Sequence, residues 1–196
     1  MIDSKKTQVS RKEAENAIKT LLLWMGEDTD REGLIDTPQR VIKSYEERFA
    51  GYKADPKAIL SKKFSETSQY QGMIMLSDIT VESHCEHHMS PIIGKAHVAY
   101  IPNDQVVGIS KIARLVEIFA KRLQLQERMT AQIANTIADN LTPKGVAVLI
   151  QAKHHCICHR GIHHRDTIMI TSSFLGAFQD DEKLVNQFLN QTKNFK

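Results

Sequence analysis

From residue 73 onward, strand-like and helix-like segments follow one another in an order that restricts the class of fold. "MIMLSDITVES" and "IIGKAHVAYI" are short and rich in β-branched residues, so each predicts a strand. Residues 110–140 carry apolar side chains at helical spacing and predict one helix or two, because the polar "RLQLQER" interrupts the apolar stripe. "GVAVLIQAK" and "DTIMITSSF" predict two more strands. This order indicates an α+β fold with a four-stranded, mainly antiparallel sheet and a helix pair segregated to one face.

The first third of the chain predicts helices rather than strands. Ser10 and Glu13 have the spacing of a capping box, and "DTPQRVIKSYEERF" predicts a second helix. The segment "DDEKLVNQFLNQ" predicts a closing helix. We therefore expect an N-terminal helical region over residues 1–70 and one further domain over residues 71–196. A four-stranded sheet exposes its edges, which favours oligomers that join sheets edge to edge.

The bulk composition is that of an ordinary globular protein, with 41% hydrophobic and 25% charged residues. No apolar run approaches the roughly 20 residues that span a bilayer, and the N-terminus lacks the apolar segment of a secretory signal. We therefore expect a cytoplasmic protein with no membrane partner. The net charge of +3 comes without any block of basic residues, so a nucleic-acid partner is not expected either.

All three cysteines and eight of the nine histidines lie in two short windows. These are "SHCEHHMSP" at residues 83–91 and "KHHCICHRGIHHR" at residues 153–165. Each window follows a predicted strand, so two neighbouring strands would bring the windows together. In a reducing compartment such thiols are more often metal ligands, catalytic groups or buried apolar groups than disulfides.

The two windows suit zinc, which prefers thiolate and imidazole ligands. They offer several candidates, which are Cys85 with His87 or His88, and Cys156 or Cys158 with His154 or His155. A catalytic zinc site uses three protein ligands and a water, whereas a closed structural site would favour CxxC pairs, which are absent here. The pattern therefore indicates an open, catalytic zinc site.

The ordinary alternative is that these residues have no metal to bind. Cysteine often behaves as a small buried apolar residue, and surface histidines are common. We favour this alternative for Cys158, His163 and His164. Spare histidines beside a metal also make good proton carriers because imidazole titrates near neutral pH, and His87 and His154 are the candidates.

A second group of residues predicts an anion site. Ser110, Lys111 and Arg114 fall in the first turns of a predicted helix, where the helix dipole favours phosphate. Arg160 adds a guanidinium that can grip an anion through two hydrogen bonds. Glu127 interrupts an apolar helix and can accept two hydrogen bonds from a guanine-type ring. The alternatives are a solvated basic helix start and an exposed helix glutamate.

Together these motifs resemble the GTP cyclohydrolase I family. "CEHH", "GKAHVAYIP", "VVGISKIARLVEIFAKRLQLQERMTAQIA", the His-x-Cys in "KHHC" and the following "RG" occur in that family's order and spacing. "GEDTDREGLIDTPQRV" is similar to its N-terminal helical region, and the match covers about residues 10–190. The resemblance implies the tunnelling fold, assembled as a homodecamer of two stacked pentameric rings with active sites between subunits.

The resemblance also implies a reaction, the conversion of GTP and water to formate and 7,8-dihydroneopterin triphosphate at the start of folate or tetrahydropterin synthesis. It places the zinc ligands at Cys85, His88 and Cys156, with a metal-bound water that attacks C8 of guanine. His87 and His154 would move protons. The implied substrate contacts are Gln126 and Glu127 for guanine, Ser110, Lys111, Arg114 and Arg160 for the triphosphate, and Arg40 from a neighbouring subunit.

The chain departs from the family's usual pattern around the second window. His155 stands where tyrosine or methionine is more usual, and Cys158 and His159 are unusual there. Cys158 could compete as a zinc ligand or form a disulfide with Cys156. Two rival functions are another tunnelling-fold enzyme acting on a pterin or deazapurine, and a zinc-stabilised binding module. The first has different motifs, and the second would need four closed ligands.

Overall fold

The computed structural model describes residues 9–65 and 70–193. It divides into two compact units, Met1–Phe49 and Ala50–Lys196. Leu60, on the N-terminal side of the expected boundary at residue 70, is buried in the core of the second unit. Among the described residues, none of the helices has the length and apolar character that crossing a bilayer requires.

The first unit contains two helices, α1 (Arg11–Trp24) and α2 (Thr37–Arg48). The predicted capping box is confirmed, because the Glu13 amide donates to Ser10 Oγ at 3.2 Å and the Ser10 amide donates to the Glu13 carboxylate at 2.7 Å. These two bonds satisfy amide groups that have no partner within the helix. Helix α1 stops just before Gly26, whose φ of +88° suits glycine.

The second unit holds the sheets and the remaining helices. Its strands are β1 (Lys63–Phe64), β2 (Ile74–Cys85), β3 (Pro91–Ile101), β4 (Val106–Val107), β5 (Leu123–Gln124), β6 (Gly145–His154) and β7 (Met169–Gly176). Its helices are a 3-10 turn (Ala50–Lys53), α3 (Pro56–Ile59), α4 (Ile109–Ala120), α5 (Gln126–Leu141), α6 (His155–Cys158), α7 (Ala177–Asp180) and α8 (Glu182–Gln191).

The main sheet has the order β5-β2-β3-β6-β7. The four predicted strands are confirmed as β2, β3, β6 and β7, and their three pairings are antiparallel. The expected count of four is wrong, because β5 adds a fifth strand parallel to the end of β2. A separate two-stranded sheet joins β1 and β4. Strands of two residues are too short to show the alternation that predicts a strand.

The two faces of the main sheet carry different cores. Helices α4 and α5 cover one face, against alternate β3 residues such as Ala96, Val98 and Tyr100. The opposite face packs around Phe178 of α7 and Phe188 of α8. Because side chains alternate along a strand, the two clusters lie on opposite sides. The helix pair α4 and α5 therefore lies on one face as expected, whereas the closing helix α8 packs on the other.

Candidate metal centre and active site

Strand pairing brings the two cysteine- and histidine-rich windows together. Strand β3 pairs with β2 on one side, with Pro91 opposite His84, and with β6 on the other, with Ile92 opposite His154. The ends of β2 and β6 therefore flank the start of β3. This is why residues about seventy positions apart in sequence meet at the same end of three adjacent strands.

Three side chains from these windows converge. Cys85 ends β2, His88 lies in the turn after it, and Cys156 lies in α6 directly after β6. Their ligand atoms all lie within 4.8 Å of one another, and Cys85 Sγ lies 3.8 Å from His88 Nδ1. A tetrahedral zinc ion with normal bond lengths holds its ligand atoms about 3.3–3.8 Å apart. The donor types and the separation of Cys85 Sγ from His88 Nδ1 fit zinc.

The turn that presents His88 is closed by backbone hydrogen bonds. The Cys85 amide donates to the Ser90 carbonyl and the Met89 amide donates to the Cys85 carbonyl, both at 2.8 Å. Met89 has a φ of +52°, the left-handed conformation that closes such a tight turn. The turn thus returns the chain from β2 to β3 and holds the His88 ring beside the Cys85 thiol.

The charge environment of the thiols favours a bound cation. Burial raises the pKa of Cys156, and the neighbouring Cys85 thiol raises it further, while Arg160 opposes the rise. Two adjacent thiolates repel each other in a buried place, and a divalent cation between them removes that cost. All three cysteines are free thiols.

The group has an accessible side. Cys85 and Cys156 are buried, whereas His88 is exposed. Within the part of the chain that the structure describes, the group has three members, two cysteines and one histidine. Cys158 is buried outside the group, and the ring of His155 packs against that of His159 with centroids 4.9 Å apart. A metal ion held by three donors of this kind would keep a further position for a solvent or substrate ligand.

The two candidate proton carriers lie one and two residues before the candidate ligands His88 and Cys156, respectively. His87 is exposed, and its ring meets the His88 ring edge-on with centroids 6.2 Å apart. His154 is half-buried and its Nε2 lies 2.8 Å from Gln126 Oε1. Burial lowers the pKa of His154, and the Glu127 carboxylate opposes that shift. His154 of β6 therefore interacts with Gln126 and Glu127 at the start of α5.

The start of α5 is tied to the metal-ligand turn by residues that sequence analysis missed. Glu86 hydrogen bonds to Arg128, and the Glu86 amide donates to the Gln124 carbonyl at 3.0 Å. The Arg128 bond lowers the pKa of Glu86. The available sequence signal was position, because Glu86 lies inside "CEHH" and Arg128 inside "QER". These contacts link the turn to the first turn of α5, which carries Glu127.

The remaining candidates lie on two separate elements of the second unit and one of the first. Ser110, Lys111 and Arg114 occupy the first two turns of α4, where Gly108 is an N-cap without a side chain. Arg160 is exposed after α6. Arg40 lies in α2 and pairs with Asp36 at 3.0 Å. An uncapped helix start that carries a half-buried lysine and an exposed arginine can bind phosphate.

Known proteins are similar to this chain over most of its length. The family model for GTP cyclohydrolase I matches residues 14–193. The GTP cyclohydrolase 1 of Maricaulis maris is 56% identical over 93% of this chain and 89% of its own length. That of Pelagibacter ubique is 52% identical over 96% and 93%, respectively.

Among solved structures, the apo crystal structure of the archaeosine synthase QueF-Like covers 54% of this chain and 94% of its own, with a TM-score of 0.42 and 16% identity. The family match and the identities above span nearly the whole sequence. The chain therefore belongs to the GTP cyclohydrolase I family and has its tunnelling fold.

Proposed function

We propose that this chain opens the imidazole ring of GTP by hydrolysis at a zinc site formed by Cys85, His88 and Cys156. Membership of the family indicates a GTP cyclohydrolase, a hydrolase that acts on cyclic amidines. The observation that carries the proposed site is the convergence of two thiols and one imidazole within 4.8 Å. The products are formate and 7,8-dihydroneopterin triphosphate.

The chain's own residues divide the chemical work. When bound, zinc would supply a Lewis acid that makes hydroxide available near neutral pH. His154, whose lowered pKa keeps the ring neutral at pH 7, accepts a proton during attack on C8, and His87 delivers one as the ring opens.

Substrate binding draws on groups outside the metal site. The Glu127 carboxylate accepts hydrogen bonds from the guanine N1–H and exocyclic amine. Ser110, Lys111 and Arg114 on α4, with Arg160, hold the triphosphate through charge-assisted hydrogen bonds. Binding the triphosphate supplies binding energy far from the reacting carbon. Arg40 would join them from a neighbouring subunit.

We assign the chain to the cytoplasm and to a homodecamer. Free, buried metal-binding thiols suit a reducing compartment, which supports the location. Within the described residues, β7 pairs only with β6, so its outer edge can pair with another copy. Sedimentation should report a mass about ten times 22.2 kDa. A monomeric mass would contradict the assembly while leaving the zinc site intact.

The test of function is incubation of reduced, zinc-loaded protein with GTP. We expect release of formate and a pterin that fluoresces after oxidation. Absence of both products would contradict the proposal. Removing zinc with a chelator should abolish turnover while the fold persists, because the site is open and catalytic. Unfolding on chelation would instead indicate a structural zinc.

A further inference from the structure

Gln126, the first residue of α5, is fully buried and makes hydrogen bonds at both ends of its side-chain amide. One end lies 3.1 Å from the carbonyl oxygens of Ile150 and Met169. Because carbonyl oxygens can only accept hydrogen bonds, this end is the NH₂ group. The other end is therefore the oxygen, and it lies 2.8 Å from His154 Nε2.

Two threonine hydroxyls complete the network and define its direction. Thr130 Oγ1 donates its single hydrogen to the backbone carbonyl oxygen of Gln126 at 2.8 Å. The 2.7 Å contact between Thr130 Oγ1 and Thr171 Oγ1 must therefore be donated by Thr171. Thr171 Oγ1 is then free to accept from the Gln126 NH₂ group at 3.1 Å. The two amide hydrogens of Gln126 are thus shared among three acceptors, the Ile150 and Met169 carbonyls and Thr171 Oγ1.

This direction determines where His154 carries its proton. An amide oxygen can only accept, so the bond to Gln126 requires a hydrogen on His154 Nε2. A neutral imidazole has one N–H, which leaves Nδ1 as the acceptor atom. We propose that Gln126 is a positioning residue that holds neutral His154 as the Nε2–H tautomer, so that Nδ1 is the atom that takes a proton from the reacting substrate.

This role differs from the guanine contact expected for Gln126. Its two amide hydrogens already serve three protein acceptors, in a place fully closed to solvent. That leaves Glu127 to bind the guanine. The inference rests on the proposed function only in so far as His154 is the group that moves a proton.

The kinetic test compares Gln126→Met, which keeps length and bulk, with Thr171→Val. We expect Gln126→Met to lower kcat at least about 10-fold, because misplaced general bases lose much of a typical 10²–10⁴-fold effect. The KM for GTP should stay within about 2-fold and zinc content should be unchanged. Thr171→Val should lower kcat less than Gln126→Met does, and Thr171→Ser should keep most of the kcat that Thr171→Val loses. A raised KM with an unchanged kcat would indicate that Gln126 contacts the substrate and would overturn the proposal. No change in either constant would also overturn it.

The tautomer itself is read by solid-state NMR of the zinc-loaded, ¹⁵N-histidine-labelled protein at pH 8, with the His154 signals identified by their loss in His154→Asn. We expect the Nε2–H form in the unaltered protein and a mixture of tautomers in Gln126→Met. An Nδ1–H form in the unaltered protein would overturn the proposal. This spectrum does not depend on turnover, so inactivity toward GTP would defeat the proposed function alone.

Discussion

The carboxylate of Glu86 hydrogen bonds to the guanidinium of Arg128, and this contact ties the turn between β2 and β3 to the first turn of α5. Cys85 ends β2, the turn carries His88, and the first turn of α5 carries Glu127. Arg128 also donates to Gln124 Oε1 at 3.2 Å. The Arg128 side chain thus joins the turn beside the proposed metal ligands, the helix start and β5.

Arg128→Ala should weaken zinc binding. Loss of the guanidinium releases the turn that carries His88 and follows Cys85. Removing a residue that supports metal ligands typically weakens metal binding about 10–100-fold. Competition with a chromophoric chelator measures the change. Arg31→Ala is the matched control, because Arg31 lies in the first unit, where it pairs with Glu27 at 3.0 Å, and the change should leave zinc affinity unaltered. Equal affinity in the two variants would contradict this coupling.

The three cysteines should separate into two classes. Cys85→Ser and Cys156→Ser should lose zinc and turnover together, each with more than about 100-fold weaker binding, since a lost ligand costs more than a lost supporting residue. Cys158→Ser should keep both, because Cys158 is buried outside the group. Metal analysis after gel filtration and formate release give the readouts. Zinc loss in Cys158→Ser would show that this thiol also binds the ion.

His154→Ala should retain zinc but stall early in the reaction. The side chain is not among the converging ligands, and removing a general acid–base group typically costs about 10²–10⁴-fold in rate. Chromatography of the nucleotide products and metal analysis together test this. The neighbouring His155→Ala serves as control and should turn over GTP near the unaltered rate. Metal loss equal to that of Cys156→Ser would show that the roles are misassigned.

Gly94→Ala should destabilise the sheet that positions the site. A Cβ on Gly94 would lie 2.0 Å from the Gln151 carbonyl oxygen and 2.5 Å from Ala152 Cα, both backbone atoms of β6. Overpacking of this kind costs about 1–3 kcal/mol. Gly108→Ala is the control, since a Cβ there meets only Lys111 Cγ at 4.0 Å. Denaturant unfolding should show a clear loss for Gly94→Ala only.

Stability should fall as the pH is lowered through the titration range of His97. Burial lowers the pKa of His97, Asp78 opposes this and Lys95 adds to it. Its Nδ1 accepts from the Asp78 amide at 3.4 Å, which requires the unprotonated nitrogen. The unfolded chain binds the proton first, so the stabilisation is complete above about pH 6.5 and is lost as the pH falls toward the folded pKa. Thermal unfolding of His97→Gln should show a shallower pH dependence than the unaltered chain. Parallel curves would contradict the assignment.

Periodicity predicted the long elements well, because each needs only local information. The alternating and helical patterns of residues 73–140 located β2, β3, α4 and α5. The two-residue strand β5 was missed, since Leu123 and Gln124 pair with the distant His84 and Cys85 and carry no periodicity of their own. The face chosen by α8 was also beyond local pattern, because Phe188 packs on whichever side of the sheet the chain returns to.

By itself the sequence determined which donor types are present and that they lie at strand ends, because residue identity and strand propensity are local properties. Only the tertiary structure decided which donors meet, since that depends on the register of β3 with β2 and with β6. That register brings Cys85 and Cys156 together, and buries Cys158 outside the group. Tertiary packing likewise directed the Gln126 amide toward His154, because its partners on β6 and β7 are distant in sequence.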